Sequence, residues 1–449
     1  MIDQPTTLET ILYAKEERAW KQKELLSRHP LASLISLTIN IPSLIKLSHE
    51  AVVAHEIAHQ ALLEMLQEEG IELLACESKL SPSGAESFFT CKVDAKVLKA
   101  FTCKVEMTHP LGRLMDIDVL DLTGNILSRS ALGLPKRRCF ACEEEAQLCA
   151  RSQRHTYAEL NLYIKQLVEK HAFAHSIALW CERAMQTEVE LTPKPGLVDQ
   201  ANSGAHHDMD IHTFYTSIRA IKPFVIQWIQ TAQTYAHEDA KQSFVRLRKI
   251  GIACEKAMFE ATSNVNTHKG MIFCLAVFCG AIGRLKGCNQ SFTCKRLQTQ
   301  MQALCANLVE DDLLHVKPNS AGARFFYETG SSGIRGIAQS GFDIIFESAL
   351  PFFQACKKEE GEEIALKKTL LLLMSRLDDS TLWSRGGVEG LAYAKTQTQA
   401  LLHVKPNAEN LDTFLRELDA DMISKNLSPG GSADLLAMTW LLSHIVKEC

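Results

Sequence analysis

The sequence lacks the features that mark a secreted, membrane-spanning or nucleic-acid-binding protein. Its first residues, MIDQPTTLETILYAKEERAW, contain no basic segment followed by an apolar one, so we expect no signal peptide. No run of about 18 consecutive apolar residues occurs, which predicts no transmembrane helix. The net charge of -5 argues against the basic excess of general nucleic-acid or anionic-membrane binders. We therefore predict a cytoplasmic protein with no nucleic-acid and no membrane partner.

Low-complexity segments are also missing, and aromatic residues make up only 7% of the chain. The length of 449 residues, with 46% hydrophobic and 22% charged residues, is typical of a globular protein with two or three domains. Fifteen cysteines, an odd number without a secretory signal, indicate reduced thiols rather than a disulfide framework.

The pattern of the chain changes between its first and second parts. Residues 8–26 and 49–70 have the apolar period of amphipathic helices, whereas LASLISLTINI, SPSGAESFFTCKVDA and MDIDVLDL have strand and turn character. Beyond Lys170, long apolar-periodic stretches alternate with glycine-containing connectors. The sequence predicts a multidomain protein, with an α+β domain over residues 1–167 and a larger all-α domain over residues 168–449.

The segment MDIDVLD is the first candidate site. Its alternation places Asp116 and Asp118 on one face of a strand and the apolar residues on the other, while Asp121 lies on the apolar side. Two such carboxylates can share a magnesium ion that bridges phosphate oxygens in nucleotidyl transfer. A structural role remains open for this pair alone, because acidic residues are common at surface strand ends. The nearby cations that could hold a polyphosphate leaving group are Arg113, Arg129, Arg137 and Arg138.

A cysteine cluster follows the arginines. Cys139, Cys142, Cys149 and His155 include a C-x2-C spacing that is compatible with a structural zinc ion. The alternative is a set of buried thiols on a helix, since Cys142 and Cys149 at i, i+7 would share one helical face.

With these motifs in order, the first region resembles the apo-citrate lyase phosphoribosyl-dephospho-CoA transferases (CitX-like), also called holo-citrate lyase synthases. The likeness spans nearly all of residues 8–160. It implies a nucleotidyltransferase-like domain that transfers phosphoribosyl-dephospho-CoA to a serine of the apo acyl carrier (gamma) subunit of citrate lyase and releases pyrophosphate. The matching residues and segments are Arg18, Gln22, Pro42, Lys46, PLGRLMDIDVLD, LSR at Leu127 to Arg129, LG at Leu132, RRCFAC and CARSQRH.

The second candidate site begins at TPKPGLVDQANSGAHHDMD, residues 192–210. This segment crowds Lys194, two histidines and three carboxylates between prolines and glycines, which suits an anionic, metal-assisted site. If a helix begins near Ala205, His206 and Asp210 share one face at i, i+4, and Asp208 points elsewhere. Asp208 and Asp210 therefore need not share one ion, and base and magnesium duty stays open between them.

Three further segments offer anion-binding groups at predicted helix ends: TSNVNTHKG from Thr262, TGSSGIRG from Thr329 and SPGGSAD from Ser428. Each is weak alone, because glycine-serine connectors usually only turn the chain. His268 is a candidate base. The predicted substrate-binding residues of this half are Lys194, Asn266, Lys269, Arg335, Arg385, Ser428, Gly430, Gly431 and Asp434.

Together these segments are similar to the triphosphoribosyl-dephospho-CoA synthase family (CitG-like), over about residues 170–445. The chain departs from that family's pattern at Ile337, where glutamate is usual, and at Thr381 and Ser384. The segments that carry the resemblance are PKPGLVD, GAHHDMD with Phe214, NVNTHKG, GIRG with Gly341 and Phe342, RGG at Arg385 to Gly387, and SPGGSADLLA.

The two resemblances imply a bifunctional transferase. ATP and 3'-dephospho-CoA would give 2'-(5''-triphosphoribosyl)-3'-dephospho-CoA and adenine, and the first domain would then modify the carrier subunit. The α linkage of the family's product implies one inversion at the anomeric carbon, as in inverting glycoside hydrolysis. Three alternatives remain open: activity of the first domain only, a non-catalytic scaffold for the carrier protein, and the equivalent enzyme pair serving malonate decarboxylase.

Overall fold

The computed structural model describes residues 6–42, 45–142, 144–314, 321–404 and 408–446. The chain forms two compact units, residues 1–175 and residues 176–449. The first contains helices and a four-stranded sheet, and the second is built of helices throughout its described part. The predicted fold class, an α+β region followed by a larger helical region, is confirmed.

The first unit is organised around an antiparallel sheet of four strands, β1 (Ser33–Ile39), β2 (Leu73–Ser81), β3 (Gly84–Cys91) and β4 (Met115–Leu120). Their order in the sheet is β2-β3-β1-β4. The helices are α1 (Leu8–Arg28), α2 (His49–Glu68), α3 (Ala95–Thr108), α4 (Ala146–Arg151) and the first half of α5 (Tyr157–Glu190). Ser48 and Asp94 cap α2 and α3 by accepting hydrogen bonds from backbone N–H groups.

Alternation along the strands gives this sheet two different faces. On one face, Ile35, Phe89 and Ile117 join the main core with α2 and α3. On the other face, Leu34 and Phe88 form a smaller cluster with leucines of α1. Asp116 and Asp118 therefore lie on the α1 face, because they alternate with the core residues of β4.

The second unit is a helical assembly. A β-carbon on Gly283 would lie 2.5 Å from the carbonyl oxygen of Ile229, so glycine is needed for the close approach of the two helices that carry these residues. Its helices, besides the end of α5, are α6 (Ile211–Thr234), α7 (Ala240–Ala261), α8 (Lys269–Gly287), α9 (Cys294–Leu304), α10 (Ala321–Thr329), α11 (Gly333–Gln339), α12 (Leu350–Glu360), α13 (Glu362–Arg376), α14 (Ser380–Val404), α15 (Ala408–Ser424) and α16 (Gly430–Ile445).

Helix α8 is a strongly apolar element of the second unit. Among the described residues it is long and apolar enough to cross a membrane by length and composition, and 78% of its most apolar window is buried. It packs against α6, α7, α9 and α16. Core helices of globular proteins pass the same test, and the burial of α8 is that of a core helix.

Candidate functional site

The acidic pair of β4 lies in a polar row across the sheet. Asp116 pairs with Thr38 of β1, which in turn pairs with Glu86 of β3. Glu86 accepts hydrogen bonds from the Arg18 guanidinium, with Nε at 2.8 Å. The prediction that Asp116 and Asp118 share one strand face is confirmed, since Asp116 is exposed and Asp118 half-buried between buried apolar neighbours.

Helix α1 completes this face. Gln22 donates from Nε2 to Ser36 Oγ at 3.1 Å, and Ser36 pairs with Asp118 across β1 and β4. Burial raises the pKa of the Asp118 carboxyl, and the charge of Asp116 raises it further. Asp118 therefore holds its proton more tightly than an isolated aspartate.

A buried glutamate that sequence reading missed organises the arginines. Glu106 of α3 accepts from Arg129 Nη1 and Arg137 Nη2, both at 2.7 Å, and Arg137 Nη1 also donates to Asp116 Oδ1 at 2.9 Å. Burial raises the pKa of Glu106, while Arg137 opposes that rise. Arg137 thus connects the buried glutamate to the acidic pair.

The other two predicted arginines make backbone contacts near the cysteines. Arg113 Nη1 donates to the carbonyl oxygen of Cys139 at 2.9 Å, and the backbone of Arg138 pairs with that of Glu145. Arg113 therefore fixes the loop that carries Arg137. Its predicted phosphate contact is untested.

The structure brings the predicted zinc ligands together. One ligand atom from each of Cys139, Cys142, Cys149 and His155 lies within 4.8 Å of the others. The alternative of a shared helical face is wrong, because α4 begins at Ala146 and Cys142 lies in the turn before it. These cysteines are free thiols, whereas Cys294 forms a disulfide that the prediction of reduced thiols did not include.

In the second unit, Lys194 is directed inward. Its side chain is 1% exposed, and Nζ donates to Glu188 Oε1 at 2.5 Å and to the Glu188 carbonyl oxygen at 2.6 Å. The carboxylate of Asp199 accepts from the Lys194 backbone N–H at 3.0 Å. The loop after α5 is therefore held by its own charged residues.

Asp419 of α15 connects the same loop to the C-terminal part of the second unit by hydrogen bonds. Its carboxylate accepts from Gly196 N at 2.8 Å and Asn202 Nδ2 at 2.9 Å. Gly196 has φ +70°, and a β-carbon there would lie 2.2 Å from the Leu427 carbonyl oxygen. Glycine is required by both the conformation and the contact.

His206 joins three of the predicted segments. Arg385 Nη2 donates to His206 Nδ1, so Nε2 carries the proton and donates to Ser428 Oγ; both distances are 2.9 Å. Burial lowers the pKa of His206 to about 4, and Arg385 contributes to this shift. The imidazole is therefore neutral at pH 7, and it links residues 192–210 to RGG and SPGG.

The N-terminal ends of α14 and α16 meet at Asp379, another residue absent from the predicted site. Its carboxylate accepts from Ser432 N at 2.9 Å and from Thr381 Oγ1 at 2.5 Å, and Thr381 Oγ1 accepts from Gly430 N at 2.8 Å. A β-carbon on Gly431 would lie 3.2 Å from the Asp379 carboxylate. Thr381, a departure from the family pattern, therefore holds the SPGG turn in place.

His268 and Asp434 lie at the beginnings of α8 and α16. Thr267 Oγ1 donates to Ser217 Oγ at 2.7 Å, and Ser217 contacts His268 Nδ1 at 2.7 Å. Ser217 therefore donates to Nδ1, which leaves the proton on Nε2, and this buried atom has no partner among the described residues. Burial lowers the pKa of His268 to about 3, so the ring is neutral.

The carboxylate of Asp434 packs against Gly270. A β-carbon on Gly270 would lie 2.0 Å from Asp434 Oδ2. Burial raises the pKa of Asp434 well above its usual range, and the charges of Glu188 and Asp379 add to the rise. The residue as a whole is half-buried, and its carboxyl is desolvated.

The predicted helix start near Ala205 is wrong. Helix α6 begins at Ile211, and Asp210 is its N-cap, accepting from Thr213 N at 2.9 Å in a capping box. These hydrogen bonds lower the pKa of Asp210. Asp208 is exposed, and its charge acts on both His206 and Arg385.

Three predicted phosphate-binding residues make contacts of a different kind. Lys269 Nζ forms an ion pair with Glu255 at 3.0 Å, and the Lys269 backbone N–H donates to Asn266 Oδ1 at 3.3 Å. Arg335 Nε pairs with Asp312 at 3.2 Å. To bind phosphate, both cations would exchange a protein carboxylate for the ligand.

Comparison with known proteins explains why two such sites occur together. Residues 174–448 match the family described as ATP:dephospho-CoA triphosphoribosyl transferase (CitG), and residues 6–171 match apo-citrate lyase phosphoribosyl-dephospho-CoA transferase (CitX). The chain belongs to both families. It is a fusion of two transferase domains that matches bifunctional synthesis and attachment of the citrate lyase prosthetic group. We refer to residues 1–175 as the transferase unit and to residues 176–449 as the synthase unit.

Relatives cover both the whole chain and the synthase unit alone. The chain is 35% identical over 447 residues to Protein CitXG of Haemophilus influenzae, covering 96% of this chain and 95% of that protein. It is 46% identical over 267 residues to the probable 2-(5''-triphosphoribosyl)-3'-dephosphocoenzyme-A synthase of Photobacterium profundum, covering 58% of this chain and 85% of that protein. The first of these relatives spans both units.

Glu106, Glu188, Asp379 and Asp419 were absent from the predicted site. Asp379 and Asp419 each connect distant segments, and Glu188 balances the charge of Lys194. Only Asp379 had a usable signal, since it lies two residues before Thr381 in a motif of the family. The others lie within helices, where one acidic residue is not distinguished from its neighbours.

Proposed function

We propose that the synthase unit joins ATP to 3'-dephospho-CoA at the cluster formed by Glu188, Lys194, His268, Asp379 and Asp434, named here the synthase cluster. The 2'-hydroxyl oxygen of dephospho-CoA forms a bond to the anomeric carbon of the ATP ribose, and the bond from that carbon to adenine breaks. The observation that carries this proposal is the contact network that joins five separate motif segments around the cluster.

Asp434 is the proposed base in this reaction. Proton transfer is most effective when the pKa of the catalytic group lies near the working pH, and burial moves the pKa of Asp434 in that direction. Asp210 has the opposite environment, because Thr213 lowers the pKa of its carboxyl. We therefore assign the hydroxyl proton to Asp434, in place of the base role predicted for Asp208 or Asp210.

His268 is the proposed hydrogen-bond donor to the nucleotide. Its Nε2–H is buried without a partner among the described residues, and an unpaired buried donor costs about 1–3 kcal/mol. A ligand acceptor, such as a phosphate oxygen or an adenine ring nitrogen, would remove that cost. The neutral ring donates from Nε2 only, because Nδ1 already accepts from Ser217.

Magnesium is expected to accompany the triphosphate. Asp208 and Asp210 supply hard oxygen donors at the exposed edge of the loop, which is the ligand type that magnesium prefers. When bound, magnesium would neutralise phosphate charge. The proposed ligand-binding groups are Arg385, Ser428 and the Gly430 and Gly431 turn, with Lys269, Asn266 and Arg335 as predicted outer contacts, whereas we reassign Lys194 to the charge balance of the synthase cluster.

In the transferase unit, a serine hydroxyl of the apo acyl carrier subunit of citrate lyase would attack the phosphorus nearest the ribose, and pyrophosphate would leave. Asp116 and Asp118 are the proposed magnesium ligands, since they present oxygen donors from one strand face. Arg137 contacts Asp116 already, so it is placed to contact phosphates held by that pair. Arg113, Arg129 and Arg138 remain predicted phosphate contacts. We place both reactions in the cytoplasm.

The alternative in which only the transferase unit reacts rests on Ile337, Thr381 and Ser384. The contacts of Thr381 argue against this alternative. Its hydroxyl contacts both Asp379 and Gly430, so threonine at this position still supports the SPGG turn. Ser384 donates to the Thr381 carbonyl oxygen within α14. The structure offers no account of Ile337.

Incubation with ATP, dephospho-CoA, magnesium and apo carrier subunit tests the proposal. We expect free adenine and a carrier whose intact mass increases by one phosphoribosyl-dephospho-CoA group. Modification only when synthetic triphosphoribosyl-dephospho-CoA is supplied would support the transferase-only alternative. Absence of both products would support the scaffold alternative, and faster modification of a malonate decarboxylase carrier would reassign the partner.

A further inference from the structure

The transferase unit contains a cysteine and histidine cluster outside the acidic pair. Cys139, Cys142, Cys149 and His155 come from a loop, the turn before α4, α4 itself and the segment before α5. Each offers one ligand atom, and these atoms all lie within 4.8 Å of one another. Cys139 and Cys149 are buried, so the cluster is largely enclosed.

The spacing of the sulfur atoms fits a metal ion better than a disulfide. A tetrahedral zinc with Zn–S bonds of 2.3 Å places its sulfur ligands roughly 3.8 Å apart. The Sγ atoms of Cys142 and Cys149 are 3.8 Å apart. A disulfide would require about 2.05 Å.

Two further observations point to a ligand at this place. Nε2 of His155 is buried and has no hydrogen-bond partner among the described residues. The backbone N–H of Ala141 donates to Cys139 Sγ at 3.4 Å, which stabilises the thiolate form that a metal binds. A tetrahedral set of three thiolates and one imidazole is typical of structural zinc.

We propose that these four residues bind a structural zinc ion that positions Arg137 in the transferase site. The loop is already closed by Cys139 N to Glu144 O at 2.8 Å and Ala146 N to Arg137 O at 2.9 Å. Arg113 donates a hydrogen bond to the Cys139 carbonyl oxygen. Arg137, on the same loop, donates hydrogen bonds to Asp116 and Glu106. Zinc would join the two ends of residues 139–155 and so restrain the backbone from which Arg137 extends.

The metal itself is tested on the full-length chain, independently of any activity. Elemental analysis after purification without chelator should find zinc equimolar with the protein, and replacement by cobalt should give the visible absorption bands of a tetrahedral thiolate site. Cys142→Ser and Cys149→Ser should each lose most of the metal. Cys76→Ser, an exposed cysteine of β2 outside the cluster, should retain it.

Folded wild-type protein that contains no metal, or contains iron, would overturn the zinc assignment even if every variant failed to fold.

The positioning role rests on the proposed function of the transferase unit and has a separate test. Cys149→Ser should raise the KM for triphosphoribosyl-dephospho-CoA at least about tenfold while adenine release stays at the wild-type rate. A zinc-free variant with an unchanged KM would refute the positioning role, although the assignment of zinc to the wild-type protein would stand.

Discussion

The transferase unit displays Asp116 and Asp118 on the face of a sheet, whereas the synthase unit surrounds Asp379 and Asp434 with the ends of helices. Strand alternation alone brings the first pair together, and the nearest counter-charge comes from Arg137. The second pair depends on contacts between segments that lie 53 residues apart, as between Asp379 and Ser432. The difference shows that one chain uses local geometry for one site and tertiary packing for the other.

This contrast also changes the protonation chemistry. In the transferase unit, charged arginines oppose the effect of burial on the pKa of Asp118 and Glu106. In the synthase unit, Glu188 and Asp379 reinforce the effect of burial on the pKa of Asp434. We therefore expect proton transfer to dominate in the synthase unit and charge neutralisation to dominate in the transferase unit.

The largest expected effect comes from Asp434→Asn. Removal of the proposed base should lower adenine release about 1000-fold, because general base catalysis contributes factors of that order. Carrier modification with supplied triphosphoribosyl-dephospho-CoA should be unchanged. Adenine quantified by chromatography checks the first expectation, and a rate within a factor of two of the wild type would remove Asp434 from the mechanism.

Asp118→Asn is the matching change in the transferase unit. Loss of a magnesium-binding carboxylate should slow carrier modification about 100-fold, with adenine release preserved. Asp121→Asn serves as the control, because Asp121 lies just beyond the strand and bonds only its own turn in the contacts described, at Thr123 and Asn125. Equal rates for the two variants would show that position on the strand face is irrelevant.

Asp210→Asn separates the cap of α6 from a metal role. Asparagine keeps the N-cap hydrogen bond but removes the charge, so the melting temperature should be preserved while adenine release falls at least about tenfold. Asp210→Ala should lose the same activity and also about 1 kcal/mol of stability. If the asparagine variant is fully active, Asp210 acts only as a cap.

Acidification should give an effect on stability that is distributed over several buried histidines. Burial lowers the pKa of His55 and His109 to about 4 in the transferase unit and that of His206 to about 4 in the synthase unit. Because the unfolded chain binds these protons first, below its ordinary histidine pKa of 6.5, stability should be complete above about pH 6.5 and fall progressively toward pH 4. Melting temperatures measured between pH 7.5 and pH 4.5 test this, and a curve that rises on acidification would contradict the sign.

The features that could be predicted from the sequence are those that depend on local pattern. The alternation of MDIDVLD placed Asp116 and Asp118 correctly, and the cysteine spacing located a cluster that the structure assembles. The predicted helix start near Ala205 is wrong, because the Asp210 and Thr213 capping box starts α6 at Ile211, six residues later. The capping signal was present in the sequence and was outweighed by the i, i+4 pattern.

What could not be predicted depends on burial and on distant partners. Glu106 and Glu188 become important only because packing desolvates them beside arginine or lysine. Lys269 and Arg335 resemble phosphate ligands in sequence, yet each finds a carboxylate on another segment, at Glu255 and Asp312. Motif reading identifies the segments of a site, and tertiary contacts decide which charges are available.

The central claim is that one chain carries two separable reactions, and one intact-mass experiment tests it most directly. The apo carrier subunit is incubated with ATP, dephospho-CoA, magnesium and either wild-type, Asp434→Asn or Asp118→Asn protein, with adenine measured in parallel. We predict carrier modification by the wild type only, adenine from the wild type and Asp118→Asn, and recovery of modification by Asp434→Asn when triphosphoribosyl-dephospho-CoA is added. Failure of folded Asp434→Asn protein to modify the carrier when triphosphoribosyl-dephospho-CoA is supplied would contradict the account, as would failure of folded Asp118→Asn protein to release adenine.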